Sequence, residues 1–331
     1  MAAPRKRPDR GSGRALQAGE VESWTAVDLP LPGTGRTLQR WWRLRALGRT
    51  DLSLAKVVEP HHDVQAICVE LGHRPPEPGT LWQVWAAEPP GAGVVALGSD
   101  GGWLLSGPKP FCSGALLASH ALVTADVDGS SGLFAVDVRT AAQRRQLVVA
   151  APSWAGAGML RADTRTVEFA AAPAVAVGPV GAYADRPGFW HGSIGVAACW
   201  TGGAYGVGST LLKAARRRQL GPHALAGLGA VTAALDRCDA ALSRSAAEID
   251  TAKGEPPEHA RRRAESVRAT VVAGVEEVIA RVGNALGPGP LALDREHAQR
   301  VADLQVFVRQ HHAERDLAAL GELVTAGDEE W

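Results

Sequence analysis

The chain has 331 residues, 46% of them hydrophobic, and its 35 basic and 35 acidic side chains cancel. A chain of this length divides into two or three domains rather than forming one core. Balanced charge gives no reason to expect a nucleic acid or an anionic membrane as partner. The four cysteines, Cys68, Cys112, Cys199 and Cys238, lie far apart, so neither a zinc site nor a disulfide framework is signalled. No metal is expected, and reduced thiols fit a cytoplasmic setting.

Residues 1–35 open on the basic run MAAPRKRPDRGSGR, with no apolar segment of a secretory signal behind it. They read as a disordered tail and linker. Residues 36–79 read as a short helical region. Its second helix carries Leu52, Ala55, Val58, His62, Ala66 and Val69 at steps of three and four, with Asp51 placed as its N-cap. The loop RPPEPG closes it. Residues 80–186 switch to short apolar runs. Ser99-Asp100-Gly101-Gly102 and the DGSSG at 128–132 are hairpin turns, and LVVAAPS and RTVEFAAAPAVAV supply further strands. Residues 187–326 are helical again. Leu225, Leu228, Val231, Leu235, Cys238, Leu242, Ala246 and Ile249 form one stripe, and Val267 through Leu286 form a second. Val301, Leu304, Val308 and His311, followed by Leu317, Leu320 and Val324, form a third. No stretch is long and apolar enough to suggest a membrane span. The fold class is therefore multidomain α+β: N-terminal helices, a small antiparallel β-barrel or sheet domain, and a C-terminal four-helix bundle.

Five phrases fall in a telling order. They are VWAAEPPGAG at 84–93, GPKPFCSGA at 107–115, RRQLG at 217–221, LGPGPL at 286–291 and RVADLQVF at 300–307. Together with the element order, they resemble the acyl-CoA dehydrogenase family. The resemblance implies FAD held between the β-domain and the bundle, an acyl-CoA or related acyl thioester as substrate, oxidation of its CH–CH bond, and a homo-oligomer. It places Ala87 and Glu88 in the first flavin motif. Phe111 becomes an aromatic wall and Ser113 a hydroxyl beside the flavin, with Lys109 the lysine of the same second motif. Arg217 stands where the family's arginine reaches a neighbouring subunit's FAD pyrophosphate, a role suited to the guanidinium fork.

The chain also departs from the family. The usual threonine of the first motif is Ala87, and the leading helical region is short. The usual glutamate base is missing, and Gln310-His311-His312 stands at its place. His311 or His312 is then the catalytic candidate, because an imidazole titrates near neutrality. Flavin-dependent monooxygenases of the same fold also carry histidine near this point, so that chemistry is the alternative. A non-catalytic homologue that binds a partner or an acyl ligand is the third option. Other features carry plainer readings. His61 and His62 are ordinary helix-surface residues, Cys112 is a small buried apolar group, and Trp190 and Trp200 are core. The glycines of WTGGAYGVG at 200–208 permit close helix or flavin approach, since no βαβ unit surrounds them.

Overall fold

A computed structural model describes residues 14–91, 93–252 and 254–326. The leading helices are α1 (Ala18–Thr25), α2 (Thr37–Thr50) and α3 (Leu52–Glu70). Asp51 caps α3 as expected: its carboxylate accepts from Leu54 N at 2.9 Å. The strands are β1 (Trp82–Trp85), β2 (Val95–Ser99), β3 (Gly102–Cys112), β4 (His120–Val127) and β5 (Ser130–Asp137). The short helix α4 (Val138–Gln143) and β6 (Leu147–Val149) follow, and β7 (Arg165–Ala176) closes the sheet. The bundle holds α5 (Ala182–Asp185), α6 (Pro187–Arg217), α7 (Pro222–Thr251), α8 (Pro257–Leu286), α9 (Gly289–Leu293), α10 (Arg295–Phe307) and α11 (Glu314–Ala326).

Both expected hairpins form. Ser99 pairs with Gly102, and Val127 pairs with Ser130 around Asp128-Gly129, both at positive φ. Strands β4, β2, β3, β7 and β5 pair in that order, and β5 returns to β4, so the sheet closes into a barrel. Two pairings, β1–β4 and β2–β4, are parallel, so the sheet is mixed rather than wholly antiparallel. The reason is that β1 and β2 enter along the same edge of β4 one after the other.

Two expectations need correction. Residues 14–35 are not a tail: α1 forms, and Leu16, Val21 and Leu29 are buried in the main core. Arg161 holds the segment down. It ion-pairs with Glu20 at 2.5 Å and with Asp51, and donates to the carbonyl of Arg14 at 3.2 Å. A signal spread over contacts of such long sequence separation is invisible to local periodicity. Residues 1–13 lie outside the described residues. The third bundle stripe is not one helix either. The chain turns at His311–Ala313, with Ala313 at φ 47, so α11 is a separate helix laid on α8.

Helix α6 organises the rest. Gly188, Gly192, Gly195, Gly202 and Gly206 share one face. A Cβ at Gly202 would collide with the Arg45 carbonyl, and one at Gly48 with the Cys199 carbonyl. Helices α2 and α6 therefore cross almost backbone to backbone, which only glycine permits. That bears out the close-approach reading of the glycine-rich run.

Candidate functional site

The sequence of α3 sets Lys56, Glu59 and Asp63 on one helix face, because steps of three and four bring side chains onto one side. That face meets the first half of α6. A Cβ at Gly195 would lie 3.7 Å from Glu59 Oε1, and one at Gly192 would lie 2.7 Å from Asp63 Oδ1. The missing side chains of α6 thus make room for the carboxylates of α3. Lys56 Nζ stands over the Phe307 ring at 6.0 Å. Lys56, Asp63 and Tyr183 lie deep among protein groups yet keep partial exposure, the mark of a crevice rather than a sealed core.

The β-barrel packs on another face of α3. Gly114, at φ 64, presses on Val57 of α3, Gln83 Nε2 donates to the Val57 carbonyl at 2.7 Å, and Trp82 N donates to His61 Nδ1 at 3.2 Å. Cys112 lies within electrostatic reach of Lys56, and Tyr183 within reach of Asp63, Glu59 and Glu88.

Burial decides the electrostatics. It pushes the Glu59 carboxyl up to about 8, and the neighbouring Asp63 charge pushes the same way. Burial also raises Asp63 and lowers Lys56 and Arg40, while the nearby carboxylates draw both cations back toward charge. Among the described residues, no hydrogen bond or salt bridge ties down Lys56, Glu59 or Asp63, and Asp63 Oδ1 is buried without a partner. Two turns on from Asp63, Glu70 does have a partner, in a salt bridge to Arg186.

The sequence-nominated residues separate into three places. On the barrel, Ala87 is exposed, and Glu88 accepts from Ser131 Oγ at 3.3 Å and faces Lys109 Nζ at 3.7 Å. Lys109 is itself buried, donating to the carbonyl and hydroxyl of Thr124, each at 2.7 Å. Phe111 is 58% exposed and sits in left-handed backbone at φ 60, a strained position for an aromatic residue. Ser113 is buried, its hydroxyl paired with Thr164 at 2.9 Å. Cys112 is buried too, and burial pushes its thiol up, so it is no nucleophile.

His311 and His312 form a second place. His311 is buried beside Glu265 and Asp316, and the ligand atoms of the three lie within 4.8 Å of one another. Ala313 N donates to His311 Nδ1 at 3.2 Å, which assigns the ring proton to Nε2. That Nε2 and Glu265 Oε2 are both buried without partners. His312 is exposed, with Nδ1 3.5 Å from Asp316. Buried Arg268 binds the Gln310 carbonyl at 2.9 Å and lies over Trp200, whose ring meets Phe307 edge-on. The two rings stand between this cluster and Lys56. Arg217 is the third place. It is exposed at the last turn of α6, about 38 Å along the axis from Gly192.

Sequence reasoning missed Lys56, Glu59 and Asp63. The signal was present: Lys56, Glu59 and Asp63 share one face of a mostly apolar helix, and a later helix carries glycines at steps of three and four. His61 and His62 also differ from the surface reading. Both are buried and held near 4 by burial, and His62 Nε2 meets the Trp24 carbonyl at 3.1 Å. They dock α3 onto β1 and α1.

No protein-family model matches the chain, and no curated protein matches it in sequence. Solved structures do. KijD3, in complex with FMN and dTDP-3-amino-2,3,6-trideoxy-4-keto-3-methyl-D-glucose, is 20% identical with a TM-score of 0.76, over 96% of this chain and 88% of that one. A nitrososynthase from Micromonospora carbonacea var. africana is 21% identical with a TM-score of 0.76, over 96% and 91%. The HsaA monooxygenase from M. tuberculosis is 17% identical with a TM-score of 0.74, over 97% and 93%. At these identities the likeness establishes the fold: leading helices, β-barrel and helical bundle, superposing over nearly the whole chain.

Proposed function

We propose that the protein is a flavin-dependent oxidoreductase of the monooxygenase kind, with flavin and substrate bound in the crevice between the barrel, α3 and α6. The observation that carries this reading is the row Lys56, Glu59, Asp63. Buried polar groups are nearly always partnered, and leaving them bare costs stability. A row of three without hydrogen bonds, set against the glycines of α6, is a site waiting for polar atoms of a ligand.

The residues fit a flavin. The exposed, strained Phe111 offers a flat face to a planar ring, Ser113 a hydroxyl, and Lys56 a cation for an anionic ring or phosphate. Ala87 contributes only its backbone. When bound, flavin supplies the electron transfer and oxygen chemistry, and the protein supplies position and charge. FMN asks only for the crevice. FAD, which the family resemblance implies, asks for a second copy of the chain to bring an Arg217 near. The similar solved structures include an FMN complex, a nitrososynthase and a monooxygenase, which favours oxygen chemistry. So does the absence of a glutamate at the dehydrogenase position. The place of that residue is taken by His311, turned toward Glu265 and Asp316.

One observation keeps the dehydrogenase reading as second. Glu59 is a carboxylate with a raised proton affinity, and removal of an α-proton from an acyl thioester needs such a group.

Anaerobic titration separates the two. In the monooxygenase reading, acyl-CoAs leave bound oxidised flavin unbleached, while reduced flavin delivered by a reductase is consumed in air when protein is present. Bleaching by an acyl-CoA would instead establish the dehydrogenase. Failure of the folded protein to bind either redox state of flavin would refute both.

A further inference from the structure

We propose that Glu265, His311 and Asp316 hold a divalent transition-metal ion that clips α11 onto α8. The site stands apart from the crevice and from the flavin reading. No sequence motif marks it, because the three residues come from α8, from the turn after α10 and from the first turn of α11.

One ligand atom from each residue lies within 4.8 Å of the other two. Atoms bound to one ion at about 2.1 Å lie at most about 4.2 Å apart, so small side-chain rotations close the site. His311 is 4% exposed and Glu265 7%, and among the described residues His311 Nε2 and Glu265 Oε2 are both buried without a partner. Buried polar atoms are nearly always partnered. Asp316 is oriented by the backbone, its Oδ2 accepting from His312 N at 2.8 Å. A hydrogen bond of this kind behind a ligand is how metal sites fix their carboxylates.

The plainer reading is a network of ion pairs, and the neighbouring arginines argue against it. Arg261 and Arg268 stand one turn to either side of Glu265 on α8, where each could bond its carboxylate. Arg268 instead donates to the carbonyls of Ser193 at 3.3 Å and Gln310 at 2.9 Å, with its face over Trp200 at 4.9 Å. Arg261 lies over Trp190 at 5.4 Å, and its Nε is also buried without a partner. Rings and carbonyls thus draw both guanidiniums off and leave the carboxylate open. Arg261, Arg268 and Arg315 add positive charge around Glu265, which disfavours ions held by carboxylate charge alone, such as Mg²⁺. An ion that also bonds an imidazole nitrogen, such as Zn²⁺, is the better fit.

The ring proton moves within His311. Ala313 N–H holds Nδ1, so the proton is on Nε2. Coordination through Nε2 shifts it to Nδ1 and ends that hydrogen bond, with no net proton released. The left-handed turn at Ala313, φ 47, takes up the change. The gain falls on α11, which packs on α8 with none of its described residues fully buried. An ion at its first turn supplies the anchor that apolar burial does not.

The test uses the full-length chain as wild type, Glu265→Gln, Asp316→Asn and His312→Ala, each treated with a chelator and dialysed. Zn²⁺ is titrated in by calorimetry, with Mg²⁺ as the control. The wild type should take up Zn²⁺ saturably, melt at a higher temperature with it and resist proteolysis within residues 314–326. Glu265→Gln and Asp316→Asn should each bind Zn²⁺ at least about tenfold more weakly and lose both effects. His312→Ala removes an exposed side chain and should behave as the wild type. Each carboxyl variant decides alone if circular dichroism shows that the other has not folded. Zn²⁺ binding that the carboxyl variants retain would be adventitious surface binding and would overturn the proposal. No uptake by natively folded wild type, or equal stabilisation by Mg²⁺, would overturn it too.

Discussion

The two ends of α6 meet opposite surroundings. Its second half packs on α7 and α8, where Gly208 lies against Val231, Leu235 and Val278 in a continuous apolar core. Its first half packs on α3, where the same small residues face Glu70, Asp63 and Glu59. Close packing serves stability at the first contact. At the second it brings carboxylates into low dielectric, where they gain proton affinity and cost stability. Natural chains tolerate such conflicts chiefly at functional sites.

Substitutions should therefore act differently at the two ends. The largest stability loss is expected at the apolar end. Leu242→Ala removes a fully buried side chain from the α7–α8 seam and should cost about 3 kcal/mol, read from denaturant unfolding, with flavin binding unchanged in the folded fraction. A loss below about 1 kcal/mol would mean the seam is looser than described.

Arg161→Met tests what ties the N-terminal segment to the rest of the fold. It strands Glu20 and Asp51 and should cost about 3 kcal/mol, with earlier proteolysis within residues 14–35. Unchanged proteolysis would restore the reading of that segment as a linker.

At the charged end the effect should depend on pH. The carboxyl of Glu59 titrates at about 8 folded against 4.5 unfolded. The folded state thus holds a proton that the unfolded chain releases. Its contribution is complete below pH 4.5 and is lost as pH rises through about 8. Glu59→Gln should therefore become steadily more stable relative to the wild type between those values, measured by thermal unfolding across pH. A flat difference would contradict the burial of an unclaimed carboxyl.

The smallest effect belongs to the surface. Arg237→Ala breaks an exposed pair with Glu277 and should cost less than about 1 kcal/mol.

The same contrast explains what the sequence could reveal. The apolar end was legible: the stripes through Leu235 and Val275, the caps and the Asp-Gly turn are local patterns with fixed periods. The crevice was only half legible. The barrel carries motif phrases, so Glu88, Phe111 and Ser113 could be nominated from the sequence. The α3 wall carries none, and Lys56, Glu59 and Asp63 look like ordinary polar positions until α6 is laid against them. His311 and His312 were placed on a helix because Val308 and His311 continue its period. The left-handed Ala313 breaks that helix, and nothing in an alanine announces a positive φ.

The most direct test of the crevice as a flavin site is a binding titration of oxidised and of anaerobically reduced FMN into the wild type and Phe111→Ala, followed by flavin absorbance and fluorescence. The account predicts saturable binding of one flavin per chain in at least one redox state, weakened about tenfold when the Phe111 ring is removed. Saturable binding in neither state, by protein whose circular dichroism and unfolding are native, would contradict it.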